Sequence, residues 1–137
     1  MSFLISDEPL KIIDVESLLS DDTCGGSVIF TGTVRNHSKG KKVIALEFEA
    51  YEPMAILELS RIEEEIRNKW PVTKVTLHHR TGRVEVGGVA VIAGVSAAHR
   101  TEAFEACAYL MNRLKESVPI WKKEIFEDGE FWVTPNP

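Results

Sequence analysis

The chain has 137 residues, 44% of them hydrophobic and 27% charged, an ordinary globular mix rather than a disordered one, which supports one domain over residues 1–137. Its formal net charge of −5 argues against nonspecific nucleic-acid binding, which relies on broad positive surfaces. No apolar run reaches the roughly 20 residues of a membrane-spanning helix, and the start M-S-F-L-I-S-D-E-P-L makes a poor signal peptide, so no membrane partner and a cytoplasmic home are expected.

Residues 2–5 read as a short strand. A short helix follows, expected to be capped by Asp14 and to carry Val15, Leu18 and Leu19. Residues 21–26 are polar and glycine-rich and read as a turn. This turn holds Cys24; the only other cysteine is Cys107. Two such residues form neither a disulfide framework nor a zinc motif, and Cys107 reads as a small buried hydrophobe.

G-S-V-I-F-T-G-T-V-R, residues 26–35, reads as a strand. N-H-S-K-G-K follows as a loop. In V-I-A-L-E-F-E-A-Y, residues 43–51, Ile44, Leu46 and Phe48 alternate with Glu47 and Glu49. The two strands are expected to pair as a hairpin with a long, basic connection. Pro53 suits the first turn of a helix whose apolar stripe is Ala55, Leu59, Ile62, Ile66 and Trp70. Pro71 ends it.

Residues 72–79 read as a strand, and 83–86 as a short extended piece between Thr81-Gly82 and Gly87-Gly88. G-V-A-V-I-A-G-V-S, residues 88–96, is apolar on both faces and reads as a central strand. The last helix is expected to start near Ser96 or Ala97 and end by Glu116 or Ser117, burying Phe104, Cys107, Met111 and Leu114. Residues 121–127 and 130–134 flank Asp128-Gly129, a strong hairpin signal. This order favours an α+β fold with a mixed, mostly antiparallel sheet. No Gly-x-Gly-x-x-Gly or Walker loop is present.

Three segments combine positive charge with special positions. Arg35 ends a strand, where a guanidinium can grip a phosphate or carboxylate at two points. The loop beyond it adds His37, Lys39, Lys41 and Lys42; its lysines read as a solvated basic tip, whereas for Arg35 the solvated and the anion-gripping readings both stand. His99 and Arg100 open the last helix, where a cation opposes the helix dipole; either this is a functional site or Arg100 pairs with Glu102 or Glu105. Lys115 closes the same helix, where its charge suits the dipole. Lys122 and Lys123 are adjacent in a strand, so only one faces a given pocket; the other is solvated or pairs with Glu124 or Glu127. A lysine desolvated beside Trp121 would have a lowered pKa.

Other constellations are weaker. Ser96 and His99 are three apart, but no nucleophile elbow or acid accompanies them. His78 and His79 point to opposite strand faces, a poor metal pair. Neither a metal site nor a bound cofactor is expected.

F-T-G-T-V-R-N-H, L-E-F-E-A-Y-E-P-M-A, V-S-A-A-H-R-T-E-A-F-E-A-C and L-K-E-S-V-P-I-W-K-K-E occur in order. Together they resemble the catalytic, large subunit of molybdopterin synthase, from about Gly26 to Val133. The resemblance implies a fold of the α/β-hammerhead type with an added sheet region. It implies conversion of cyclic pyranopterin monophosphate into molybdopterin by installing a dithiolene. The sulfur would come from a small ubiquitin-like carrier ending in a Gly-Gly thiocarboxylate, two carriers per product. The large subunit would form a homodimer within a heterotetramer. By motif, Lys115 and Lys122 would be the catalytic lysines. Thr33, Val34, Arg35, His99, Arg100, Lys123 and Glu124 would join them at the substrate. The competing class is a noncatalytic dimeric module that docks a ubiquitin-like tail or an anionic ligand.

Overall fold

The stretch that is apolar on both faces forms the middle of the molecule. The computed structural model describes the backbone of residues 2–133 and the side chains of residues 2–130. Strand β7 (Val89–Ala97) is buried from Ala90 onward. It pairs antiparallel with β5 (Val72–Arg80) on one edge and with β2 (Gly26–Thr33) on the other. β1 (Phe3–Ser6) adds parallel to β5 and completes a four-stranded sheet.

Strand alternation explains why β7 is apolar throughout. Val91, Ala93 and Val95 join the core beneath α2 (Glu52–Lys69) and α3 (Arg100–Ser117). Ile92 packs instead with Val15 and Leu19 of α1 (Ile12–Leu19), on the other face. Gly94 lies under α1, and a Cβ there would come within 2.6 Å of a Leu19 methyl. Its missing side chain lets the helix lie close to the sheet.

In α2 the buried residues are Ala55, Leu59, Ile62 and Ile66, four of the five expected; Trp70, the fifth, lies at the C-cap just past the helix and is only partly buried against the core. Each fully buried Leu or Ile contributes about 1.5–3 kcal/mol. In α3 they are Ala103, Ala106, Cys107, Leu110 and Leu114. Phe104 is 61% exposed, contrary to expectation. The stripe is set by Ala103, Cys107 and Leu110, and Phe104 is turned about 100° from Ala103. Asp14 is not a cap either: Lys11 holds that position, and Asp14 sits in the first turn, where its charge suits the dipole.

The second sheet is antiparallel. Its hub is β4 (Lys41–Ala50), flanked by β3 (His37–Ser38), β6 (Gly82–Glu85) and β8 (Ile120–Phe126), with β9 (Gly129–Val133) beyond β8. The expected hairpin of β2 with β4 does not form. The ladder of β2 on β7 breaks register between Gly32 and Thr33, and the chain leaves the first sheet there. Residues Ala45–Phe48 of β4 have β6 on one edge and β8 on the other, so no edge is left for β2. The basic connection makes its own tight hairpin, with Lys39 at φ 52° and Gly40 at φ 77°.

The hairpin of β8 with β9 forms as expected, shifted by one residue. Its turn is Glu127-Asp128, and Gly129 already pairs with Phe126. Thr134, expected to end the strand, lies outside the described residues. Among the described residues, no helix is long and apolar enough to cross a membrane.

Candidate active site

Where β2 leaves the first sheet, it meets the C-terminal end of α3 and the inner face of the second sheet. They enclose a cavity of about 710 Å³. Arg35, Lys115 and Lys122 line it, with Thr33 and Glu124. Each arrives for a local reason. Leu114 is buried in the core, so the next residue, Lys115, emerges at the last turn of α3. Asn112 and Met111 line the cavity from one turn earlier. Arg35 follows Val34, which is buried at 3% exposure in the cluster with Val43 and Phe48.

β8 delivers Lys122. It enters from Pro119, whose carbonyl accepts a hydrogen bond from the Tyr51 N–H at 3.1 Å. Lys122 then stands opposite Phe48 on β4. Alternation turns Lys122 and Glu124 inward and Lys123 outward. Lys123 Nζ lies 3.5 Å from Glu130 Oε1, rather than pairing with Glu124 or Glu127. Lys123 is thus not a cavity residue. Lys123→Ala should leave turnover within about a factor of three and stability within roughly 0.5 kcal/mol. Parallel rate and melting measurements check this.

The three cations interact. Burial lowers the Lys122 pKa first; Glu124 opposes this, and Lys115 and Arg35 push it down further. The cause is therefore the cavity, not Trp121, which is 37% exposed and belongs to the opposite strand face.

Three more expected site residues, His99, Arg100 and Val34, do not line the cavity. His99 occupies the N-cap position of α3 without a side-chain capping bond, and Arg100 begins the helix, beside Gly26 at the start of β2. Lys115 is fifteen helical steps from Arg100, roughly 22 Å. Val34 also turns away, into the second core. Arg100 does not make the alternative ion pair with Glu102 or Glu105. Glu105 accepts from Trp70 Nε1 at 3.0 Å. The loop lysines stay at the surface: Lys39 is exposed, Lys42 Nζ is 3.3 Å from Glu127 and Lys41 Nζ 3.7 Å from Asp128. Such exposed pairs contribute about 0–1 kcal/mol.

The weaker constellations fail on burial. Ser96 is fully buried with an unpartnered Oγ, which no attacked substrate could reach. Burial pushes the Cys107 thiol up to about 11, so it stays a thiol and not a nucleophilic thiolate. Among the described residues no metal-holding cluster occurs.

Sequence reasoning missed His79, Phe48, Phe30 and the Met111-Asn112 pair as cavity residues. Helical spacing from Lys115 reaches Met111 and Asn112. Nothing local reaches His79, because β5 meets the second sheet only through tertiary packing. Its ring stands edge-on to Phe48, centroids 5.1 Å apart. Burial pushes its pKa down to about 4.

That shift has a stability consequence. The folded His79 stays neutral to about pH 4, whereas an unfolded imidazole binds a proton near pH 6.5. Between these values the unfolded chain binds more protons, so stability falls as pH falls. The loss should reach roughly 3 kcal/mol by pH 4. Urea unfolding at pH 7 and 4.5 checks it, because His79→Gln should show a smaller difference between the two. Equal differences in both proteins would refute the assignment.

Residues 5–117 match the family model described as MoaE protein, so the match begins well before Gly26. The chain is 44% identical to the molybdopterin synthase catalytic subunit of Nostoc sp., over 97% of this chain and 82% of that one. It is similar to the crystal structure of molybdopterin synthase from Staphylococcus aureus, with a TM-score of 0.94, 42% identity and 98% of both chains covered. A Helicobacter pylori chain from a protein–protein complex of subunits 1 and 2 of molybdopterin-converting factor shares the fold, with a TM-score of 0.81, 17% identity, and 98% of this chain and 91% of that one covered.

Proposed function

Because the chain belongs to the MoaE protein family, we propose that its cavity is where sulfur is delivered to cyclic pyranopterin monophosphate. The chain is an enzyme, a molybdopterin synthase catalytic subunit and sulfurtransferase of molybdenum cofactor biosynthesis. That identity sets aside the noncatalytic module. The observation that carries the finer reading is the convergence of Arg35, Lys115 and Lys122 on one cavity in an acidic protein.

Both reactants are anions, a cyclic phosphate and a thiocarboxylate tail, and both need fixed cations. Arg35 grips the phosphate, with Thr33 beside it. Lys115, at the open end of α3, orients the incoming thiocarboxylate and stabilises the charge that develops during attack. Lys122, with its pKa lowered by burial, is the general acid/base or assists opening of the cyclic phosphate. Glu124, buried on the same face, balances its charge. Two carrier equivalents would supply the two sulfurs of one dithiolene, so no cysteine of this chain is required.

His99 and Arg100 serve this reading only across a homodimer. They lie too far from Lys115 in their own chain, so a second copy would bring them to the cavity. The apolar groove beside it, with exposed Phe30 and Phe104, supports a second copy on this face. The small carrier would then bind at the outer end of each cavity, giving a heterotetramer.

The test is reconstitution. The purified chain, thiocarboxylated carrier and cyclic pyranopterin monophosphate should yield dithiolene product, two carriers consumed per turnover. Product formed equally well without the chain, or by chains lacking both lysines, would overturn the reading.

A further inference from the structure

His79 belongs to the cavity but has no part in the chemistry above. It is only 5% exposed, on the same face of β5 as the core residues Val75 and Leu77. Its Nδ1 lies 2.8 Å from the Arg80 carbonyl oxygen. A carbonyl only accepts, so Nδ1 carries the proton. The ring is neutral, and Nε2 keeps a lone pair. No protein group among the described residues bonds Nε2, and it is not one of the sealed, unpartnered atoms of the core. His79 lines the cavity, and the accessible part of its ring is what meets it.

The surrounding chemistry sets what that lone pair can meet. Arg35 and Lys115, and Lys122 while protonated, offer only donors, suited to phosphate and thiocarboxylate. A neutral acceptor repels an anionic oxygen and matches an N–H donor. Phe48 holds the ring edge-on, so the acceptor points in one direction. We propose that His79 Nε2 is a specificity-determining acceptor that reads a ring N–H of the bound pterin, while the cations hold the phosphate. This inference rests on the cavity being the pyranopterin site.

The test uses the full chain with its carrier and cyclic pyranopterin monophosphate. Three variants separate reading from structure. His79→Leu removes the acceptor. His79→Asn keeps an amide that can donate to the Arg80 carbonyl but has no acceptor at the Nε2 position. His79→Gln returns an acceptor near Nε2. Leu and Asn should raise KM about 10- to 100-fold, with kcat changed much less. Gln should recover most of the loss. A simple cyclic phosphate ester lacking the pterin ring system should inhibit all four proteins equally.

If folded Leu and Asn variants keep the wild-type KM, or if Gln is no better than Asn, the role of His79 falls. If Leu does not fold, the comparison of Asn with Gln decides in the same way. Lys122→Ala is the control for the underlying reading. Should it weaken pyranopterin binding while the His79 variants do not, only the His79 inference fails. Should none of the variants affect binding, the cavity is not the pyranopterin site.

Discussion

Lys122→Ala should lower dithiolene formation by about 10²- to 10⁴-fold with little loss of stability, and Lys115→Ala should do the same. The two losses arise differently. Lys122 is half-buried, its ammonium disfavoured by the cavity and by two neighbouring cations. A lowered pKa leaves more of it able to accept a proton near neutrality. The rising limb of its pH–rate profile should therefore lie below that of an ordinary lysine. Removing Lys115 or Arg35 should move the limb up, because each pushes the Lys122 pKa down. Lys115 is exposed on the last turn of α3, so its truncation removes charge and no core packing. Single-turnover rates with thiocarboxylated carrier, alongside thermal melts, check both. Normal turnover in both alanine variants would refute the assignment.

The second large effect is a recovery. Chains carrying Arg100→Ala and chains carrying Lys122→Ala should each be nearly inactive as homodimers. A mixed dimer of the two should regain about half of wild-type activity. The reason is distance: Arg100 and Lys115 are roughly 22 Å apart along one helix. The first sheet gives the same answer. Arg100 lies beside Gly26 at one end of β2, and Thr33 lines the cavity at the other. If Arg100 acts across the dimer, one cavity of the mixed species has Lys122 from one chain and Arg100 from the other. If it acts within its own chain, neither cavity is complete and no activity returns. Differently tagged chains, co-expressed and purified through both tags, make the measurement direct. A fully active Arg100→Ala homodimer would remove Arg100 from the site.

Much of this was legible in the residues because the signals are local. Helical period identified the α2 stripe through Ala55, Leu59, Ile62 and Ile66. It misjudged the α3 stripe at Phe104, where a one-residue difference turns a side chain out of the core, and placed the start of α3 at Ser96 or Ala97, which belong to β7; the helix begins at Arg100. The β8–β9 hairpin followed from the Asp-Gly signal, one residue out of register. The hairpin of β2 with β4 failed because sequence neighbours need not be sheet neighbours. A register break at Gly32 and Thr33, invisible as a pattern, sends the chain into a second sheet.

By itself the sequence determined that β7 is central, that Lys115 closes a helix, and that Lys122 and Lys123 face opposite ways. These follow from backbone stereochemistry, which acts over a few residues. Motif resemblance then selected Lys122 over its neighbour. Only the tertiary structure decided which face of β8 is enclosed, that Arg35, Lys115 and Lys122 converge, that Arg100 does not join them within one chain, and that His79 does line the cavity. Those outcomes depend on contacts between segments far apart in the chain, and no local period encodes which sheet edge a strand will meet.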